Sequence, residues 1–250
     1  MTIMKIGSIT GTAIVLASAV ALSGCGGNGD SDAKDSPAAA SSTSTGNGVE
    51  ALTGQEILDK ARAALKDAKS YHVAGSMVEE GDKTTIDLKI AGEDVVGHVT
   101  TKDGKIELLA VGQQRFFRPD PAFWTAQGAE GKTVAKAIGD RWVKVDPSDT
   151  SSADMFSITN IEDALKNEGT VAKGETKQVD GKKAIALTDS ADGKDGGVLY
   201  VATEGEPYPL RLDGPTAADG SLAFTEYGET FADLKVPAAA DVVDLKDLGK

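Results

Sequence analysis

The chain has 250 residues, with 26 Lys and Arg against 39 Asp and Glu, a formal net charge of −13 and one cysteine. Its basic residues are outnumbered and scattered, which excludes the cationic clusters that a nucleic-acid backbone or an anionic membrane surface demands, and a lone thiol excludes an internal disulfide or a cysteine metal site. The length suits one domain with a genuine core, or at most two small ones, and the surplus of acid serves solubility.

At the N-terminus Lys5 precedes an apolar run from about Ile9 to Leu22. Charge, apolar core and small residues before a break are the parts of a secretory signal. The run is only ~14 residues long, short of the ~20 that a membrane-spanning helix needs. It ends in Leu22-Ser23-Gly24-Cys25, which resembles the lipobox of bacterial lipoproteins. In that family the cysteine thiol takes a diacylglyceryl group and becomes the first mature residue. Residues 1–24 are therefore expected to be a lipoprotein signal peptide, with Cys25 the site of lipid attachment on the outer face of the cell membrane. Its loss removes Lys5 and moves the net charge from −13 to −14.

Residues 25–49 are expected to be the acylated cysteine and a flexible tether. Between Gly26 and Gly48 no side chain is both larger and more apolar than alanine, so ordering the segment recovers too little buried surface. As a coil it spans roughly 27 Å. Residues 50–250 are read as the folded domain, with order beginning at Thr53. Thr53 and Glu56 have capping-box spacing, and Ile57, Leu58, Ala61, Ala64, Leu65 and Ala68 form a helical stripe over about 54–69.

From Tyr71 the period changes to two. Thr84, Ile86, Leu88 and Ile90 alternate with polar residues, and further strands are expected at Val95–Thr101, Ile106–Val111 and Gln113–Arg118. Asp103-Gly104 suits a two-residue hairpin turn. The pattern then breaks. Pro121 opens a short helix carrying Phe123 and Trp124, a second helix covers about Gly131–Ile138, a strand follows at Arg141–Val145, and a third helix of this insert lies around Asn160–Lys166. After Gly169 the chain is β again, at Thr170–Val179, Lys183–Thr188, Val198–Thr203, Pro209–Leu212 and Ser221–Tyr227, with Asp180-Gly181 a second hairpin signal. The order strands, helices, strands argues an α+β fold of about ten antiparallel strands.

Chemistry finds little to use. His72 and His98 each sit on an expected strand, outside any metal-ligand spacing, and read as polar strand residues. Ser31-Asp32-Ala33-Lys34 fits a Ser-x-x-Lys string but lies in the tether, where no oxyanion hole can be preorganised. Asp189, Asp192 and Asp195 are spaced by threes and lack the terminal Glu of a calcium loop, so they read as a charged hairpin tip. The aromatic distribution is more telling. The chain has two Trp, four Tyr and six Phe, yet Phe116, Phe117, Phe123 and Trp124 fall within nine positions. They form either a packed core beneath the helices or the mouth of an apolar cavity. Phe116 and Phe117 on a strand point to opposite faces, and Leu108 and Leu109 likewise.

Several strings occur in order after the lipobox: KSYHVAGSM (Lys69–Met77), PDPAFWTAQ (Pro119–Gln127), RWVKVDP (Arg141–Pro147), GVLYVATEGEPYPLRLDG (Gly197–Gly214) and FTEYG (Phe224–Gly228). Together they resemble the LolA-like lipoproteins of actinobacteria, the LppX and LprG type, over about residues 50–245. The resemblance implies a curved antiparallel half-barrel whose concave face is closed by helices over an apolar cavity. It implies binding or transfer of lipids or lipidated molecules, without catalysis. On that fold the cavity lining is expected to be Ile86, Leu88, Ile90, Ile106, Leu108, Ile185 and Leu187, with Phe123 and Trp124 from the helical lid. No cofactor and no metal are expected. The expected partners are a lipid or glycolipid ligand and the membrane through the acyl anchor, with no nucleic acid, and the chain is read as a monomer. The alternative is a sensor or accessory module that binds an envelope protein.

Overall fold

The computed structural model describes residues 46–145, 156–157, 159, 161, 165–166, 169–191 and 194–244. Cys25, the signal segment, the tether up to residue 45, the Ser31–Lys34 string and Asp192 lie outside them. Of the helix expected at 160–166 only Ile161, Leu165 and Lys166 are described; Ile161 and Leu165 are buried, and the Leu165 N–H donates to the Ile161 carbonyl at 3.3 Å, one helical turn.

Helix α1 (Gly54–Asp67) begins where the capping box places it. The Thr53 hydroxyl oxygen accepts from the Glu56 N–H at 3.3 Å, and Glu56 Oε2 accepts from the Thr53 N–H at 2.9 Å. Ile57, Leu58, Ala61 and Leu65 bury the stripe against the sheet. Strands β1 (Ser70–Glu79), β2 (Asp82–Ala91), β3 (Asp94–Thr101), β4 (Gly104–Val111) and β5 (Gln114–Pro119) form one meander, extended by β6 (Trp142–Lys144). Between β5 and β6 come helices α2 (Pro121–Ala126) and α3 (Gly128–Ile138). A second meander contains β7 (Thr170–Val179), β8 (Lys182–Ala191), β9 (Lys194–Ala202), β10 (Pro209–Asp213) and β11 (Gly220–Thr225). Antiparallel pairing of β1 with β11 joins the two meanders into one open half-barrel. The chain ends beside β6, where β12 (Val242–Asp244) pairs in parallel.

The sheet has 12 strands rather than the expected ten or so. β12 is three residues long and shows no alternation to read; its partner across the fold makes it a strand. Two further expectations are corrected. The tight turn between β3 and β4 uses Lys102 and Asp103, not Asp103 and Gly104, because Gly104 already pairs with Thr101. A Cβ on Gly104 would lie 2.4 Å from the Phe123 nitrogen, so this glycine lets α2 settle on the hairpin. The fold also begins before Thr53. Gly46 forms an antiparallel bridge with Glu204, Val49 is only 1% exposed, and Val49–Ala51 make a 3₁₀ turn. Composition gave no warning, because the docking is by backbone, Asn47, Glu50 and the single buried Val49 rather than by an apolar stripe.

Pairing register stacks alternate residues into rows across one face. Phe117, Leu108, Gly97, Leu88, Val73 and Phe224 lie directly opposite one another on successive strands, and Val143 and Val243 continue the row to the β12 edge. The next row runs Ile106, Val99, Ile86, Gly75 and Leu222, then Leu212, Leu199 and Leu187 in the second meander. The two glycines serve close approach. A Cβ at Gly97 would stand 2.0 Å from the Asp87 carbonyl oxygen, and one at Gly75 would stand 2.1 Å from that of Ser221. Glycine inside a strand marks a bend or a tight backbone contact, and both lie on the inner face where a curved sheet is most crowded.

Candidate functional site

The apolar inner face is the largest feature that the register builds. Ile86, Leu88, Ile90, Leu108, Ile185 and Leu187 all fall in one buried cluster with the α1 stripe, and Ile106 and Trp124 pack against it half-buried. Their strands place them there by period two, since each polar neighbour in β2 (Thr85, Asp87, Lys89) turns to the other face. Leu88 is the centre of the first row and 0% exposed. Phe123 stands apart from that cluster. It is half-buried on α2, and its ring meets Trp124 edge-on at 5.4 Å. Asp120 caps this short helix, accepting from the Phe123 N–H at 2.8 Å. A Cβ on Gly131 would lie 2.3 Å from the Trp124 carbonyl oxygen, so α2 and α3 are in close contact there.

The doubled residues divide as expected. Phe117 joins the inner cluster with Leu108, whereas Phe116 pairs with Leu109 and is outside it. Several inner residues escaped the sequence reading: Val73, Val95, Val99, Leu199, Leu222 and Phe224. Val73 and Phe224 flank the β1–β11 seam, a pairing between segments about 150 residues apart in the chain. Alternation around Tyr71 and Val73 was the one local signal for it.

The outer face is polar by contrast. Arg118, Glu107, His98 and Asp87 are successive cross-strand neighbours, with Arg118 Nε donating to Glu107 Oε2 at 2.5 Å and its guanidinium 4.5 Å above the Trp142 ring. Burial alone pushes the Glu107 carboxyl up, but the Arg118 hydrogen bond and charge, aided by Lys105, hold it below the usual carboxylate range. His72 Nε2 lies 2.9 Å from Asp87 Oδ1, and its Nδ1 lies 3.4 Å from the Thr225 hydroxyl. Among the described residues no group of three or more His, Cys, Asp or Glu is placed to hold a metal ion, and no helix is long and apolar enough to cross a membrane. A surface groove of about 530 Å³ lies elsewhere, lined by Lys89, Glu226 and the Glu229–Asp233 segment. It is spanned by the Lys89–Asp233 ion pair at 2.9 Å and includes none of the expected lining residues.

No family model matches the chain, and no curated protein does. Solved structures do. The lipoprotein LppX of Mycobacterium tuberculosis is 15% identical, with a TM-score of 0.45 over 72% of this chain and 98% of that one. LprF from Mycobacterium bovis is 13% identical, with a TM-score of 0.46 over 74% of this chain and 97% of that one. These two are actinobacterial proteins of the kind that the sequence strings resemble. The chain is also similar to a Pseudomonas aeruginosa MucA/MucB complex structure, at 14% identity and a TM-score of 0.35, over 75% of this chain and 62% of that one.

Proposed function

We propose that this chain is a non-catalytic lipoprotein, anchored through Cys25 outside the cytoplasm, that holds the acyl chains of a lipid or lipidated molecule against the apolar inner face. The observation that carries the reading is the pair of apolar rows that cross that face from β12 to β8, through both meanders, partnered by the α1 stripe and Trp124. Hydrocarbon needs nothing more chemical than a dry, chain-shaped space. Each methylene removed from water contributes about 0.8 kcal/mol before the costs of binding. The domain works as a monomer in this reading, with the membrane and the lipid as its partners.

Leu88 tests the reading. In a filled core Leu88→Ala costs ~2–5 kcal/mol, and Leu88→Trp is strongly destabilising because there is no room for it. Beside a lipid-sized space the first change costs ~1–2 kcal/mol, and the second folds but displaces the ligand. Native mass spectrometry of non-acylated protein purified without detergent is expected to show co-purified lipid on the wild type and none on Leu88→Trp. A lipid-free wild type, with a Leu88→Trp variant that unfolds early, would remove the carrier reading.

A protein partner is the second reading, and one observation favours it. β7 ends the sheet and is exposed along nearly all of its ten residues. An edge of this kind can accept an added strand. Deuterium protection gained along β7 on mixing with an envelope extract, with no lipid in the native spectrum, is the outcome that would favour it.

A further inference from the structure

One side chain holds the first described residues to the domain. Asn47 Nδ2 donates to the carbonyl oxygens of Ala202, at 3.0 Å, and Gly205, at 3.1 Å. Its Oδ1 accepts from the Val49 N–H at 3.3 Å, and its own N–H donates to the Thr203 carbonyl at 2.8 Å. The turn that it clamps, between β9 and β10, carries Glu204 and Glu206. The next residue is Gly48, which carries no side chain and where a Cβ would meet nothing within 4 Å.

Asn-Gly is a reactive pair for a reason visible in its atoms. The Gly48 nitrogen can attack Asn47 Cγ, forming an N–C bond as the Cγ–Nδ2 bond breaks. The amide leaves as ammonia, taking up the proton that Gly48 releases. Water then opens the resulting succinimide ring to aspartate or isoaspartate, and no oxidant or reductant is consumed. While docked, the amide is pinned by three hydrogen bonds and cannot turn onto the Gly48 nitrogen without losing them. Reaction therefore proceeds through the locally opened population.

We propose that Asn47 is a deamidation site whose conversion opens, in one direction only, the latch holding residues 46–48 to the β9–β10 turn. The product sets a carboxylate where the amide donated twice. It then faces two carbonyl oxygens with no proton to offer, beside Glu204 and Glu206. Isoaspartate further adds a methylene to the main chain and breaks the register of the Gly46–Glu204 bridge. Release stops at the 3₁₀ turn, which has its own holds. Lys173 Nζ donates to the Glu50 and Leu52 carbonyls at 2.9 Å, and Lys183 Nζ pairs with Glu50 at 3.1 Å. If Cys25 is the anchor, the opened latch lengthens the tether with protein age; the latch itself does not depend on that reading.

Full-length protein in detergent is incubated in mildly alkaline buffer, native and in urea, and conversion of Asn47 is followed by peptide mass spectrometry with isoaspartate detection. The native protein is expected to convert at least ~10-fold more slowly than the unfolded chain. The deamidated fraction, separated by its added negative charge, is expected to lose hydrogen-exchange protection at residues 47 and 49 while β9 and β10 keep theirs. Asn47→Asp is expected to show the same local loss. Equal native and unfolded rates would overturn the proposal, as would intact protection at both amides in the aged fraction.

Discussion

Gly97 occupies the point where the apolar row through Phe117 and Val73 crosses from Leu88 to Leu108. Its missing side chain matters more than most present ones. A methyl group there meets the Asp87 carbonyl oxygen at 2.0 Å, a backbone atom that cannot swing away. Gly97→Ala is expected to cost about 2–4 kcal/mol, read as a shift of the urea midpoint. Tyr227 shows a residue-scale effect of the opposite kind. Its ring stacks on Tyr208 at 4.0 Å, its hydroxyl donates to the Pro209 carbonyl, and burial, with smaller contributions from Tyr71 and Tyr208, pushes its phenol far above the usual tyrosine range. A folded-state pKa raised above the unfolded one gives stability that is complete below about pH 10 and lost as the pH rises beyond it. Tyr227→Phe should cost ~0.5–1.5 kcal/mol near neutrality and make the alkaline decline shallower. A decline as steep as the wild type's would show that another group governs it.

Elements differ in how locally they are determined. α1 is specified by its own residues. The capping box satisfies the Thr53 and Glu56 N–H groups at its start, and the stripe selects the buried face. Thr53→Ala should lower the melting temperature by about 2–4 °C without changing the sheet, because one cap among many contacts is lost. A shift below the resolution of a thermal scan would mean that tertiary packing alone holds the helix start. α2 and α3 lie at the other extreme. α2 fully buries none of its residues, and α3 buries only Gly131 and Ile138. Their position rests on the β3–β4 hairpin beneath Phe123 and on the contact of Gly131 with Trp124. Strand limits were legible where alternation and turn residues coincide, as at Asp180-Gly181, which closes β7 onto β8 as expected; β8 and β9 instead extend to Ala191 and back to Lys194, past the expected limits at Thr188 and Val198, because they stay paired through the charged segment. The β3–β4 turn was misplaced by one residue because the demand on Gly104 comes from α2, not from the turn.

As a whole the molecule is two meanders sewn at β1 and β11, with the chain after β11 returning past β1 and β2 to pair with β6. Along that return Ser70 Oγ donates to the Glu229 carbonyl at 2.7 Å, and Lys89 pairs with Asp233. At the other end the first described residues, Gly46 and Asn47, dock on the β9–β10 turn. The small, polar composition of Asn28–Ser44 predicts that its deletion leaves the melting temperature unchanged, whereas extending the deletion through Gly48 removes the Asn47 contacts and should lower it by a few degrees, at ~2–4 °C for each kcal/mol lost. Equal melting temperatures for both deletions would show that the Asn47 contacts contribute nothing.

What the chain determined by itself was local: a helix start, the period of each strand, which side chains share a face, and the lipobox-like string at Cys25. Period two was enough to put Ile86, Leu88 and Ile90 on one face before any partner strand was known. Only the tertiary structure decided what lay opposite them. The seam that sets Val73 against Phe224, the parallel pairing of β12 with β6, and the docking of Asn47 on the β9–β10 turn all join segments about 100 or more residues apart. Such pairings are chosen by the summed fit of whole faces and by backbone hydrogen bonds that every residue type can make, so no single residue announces them.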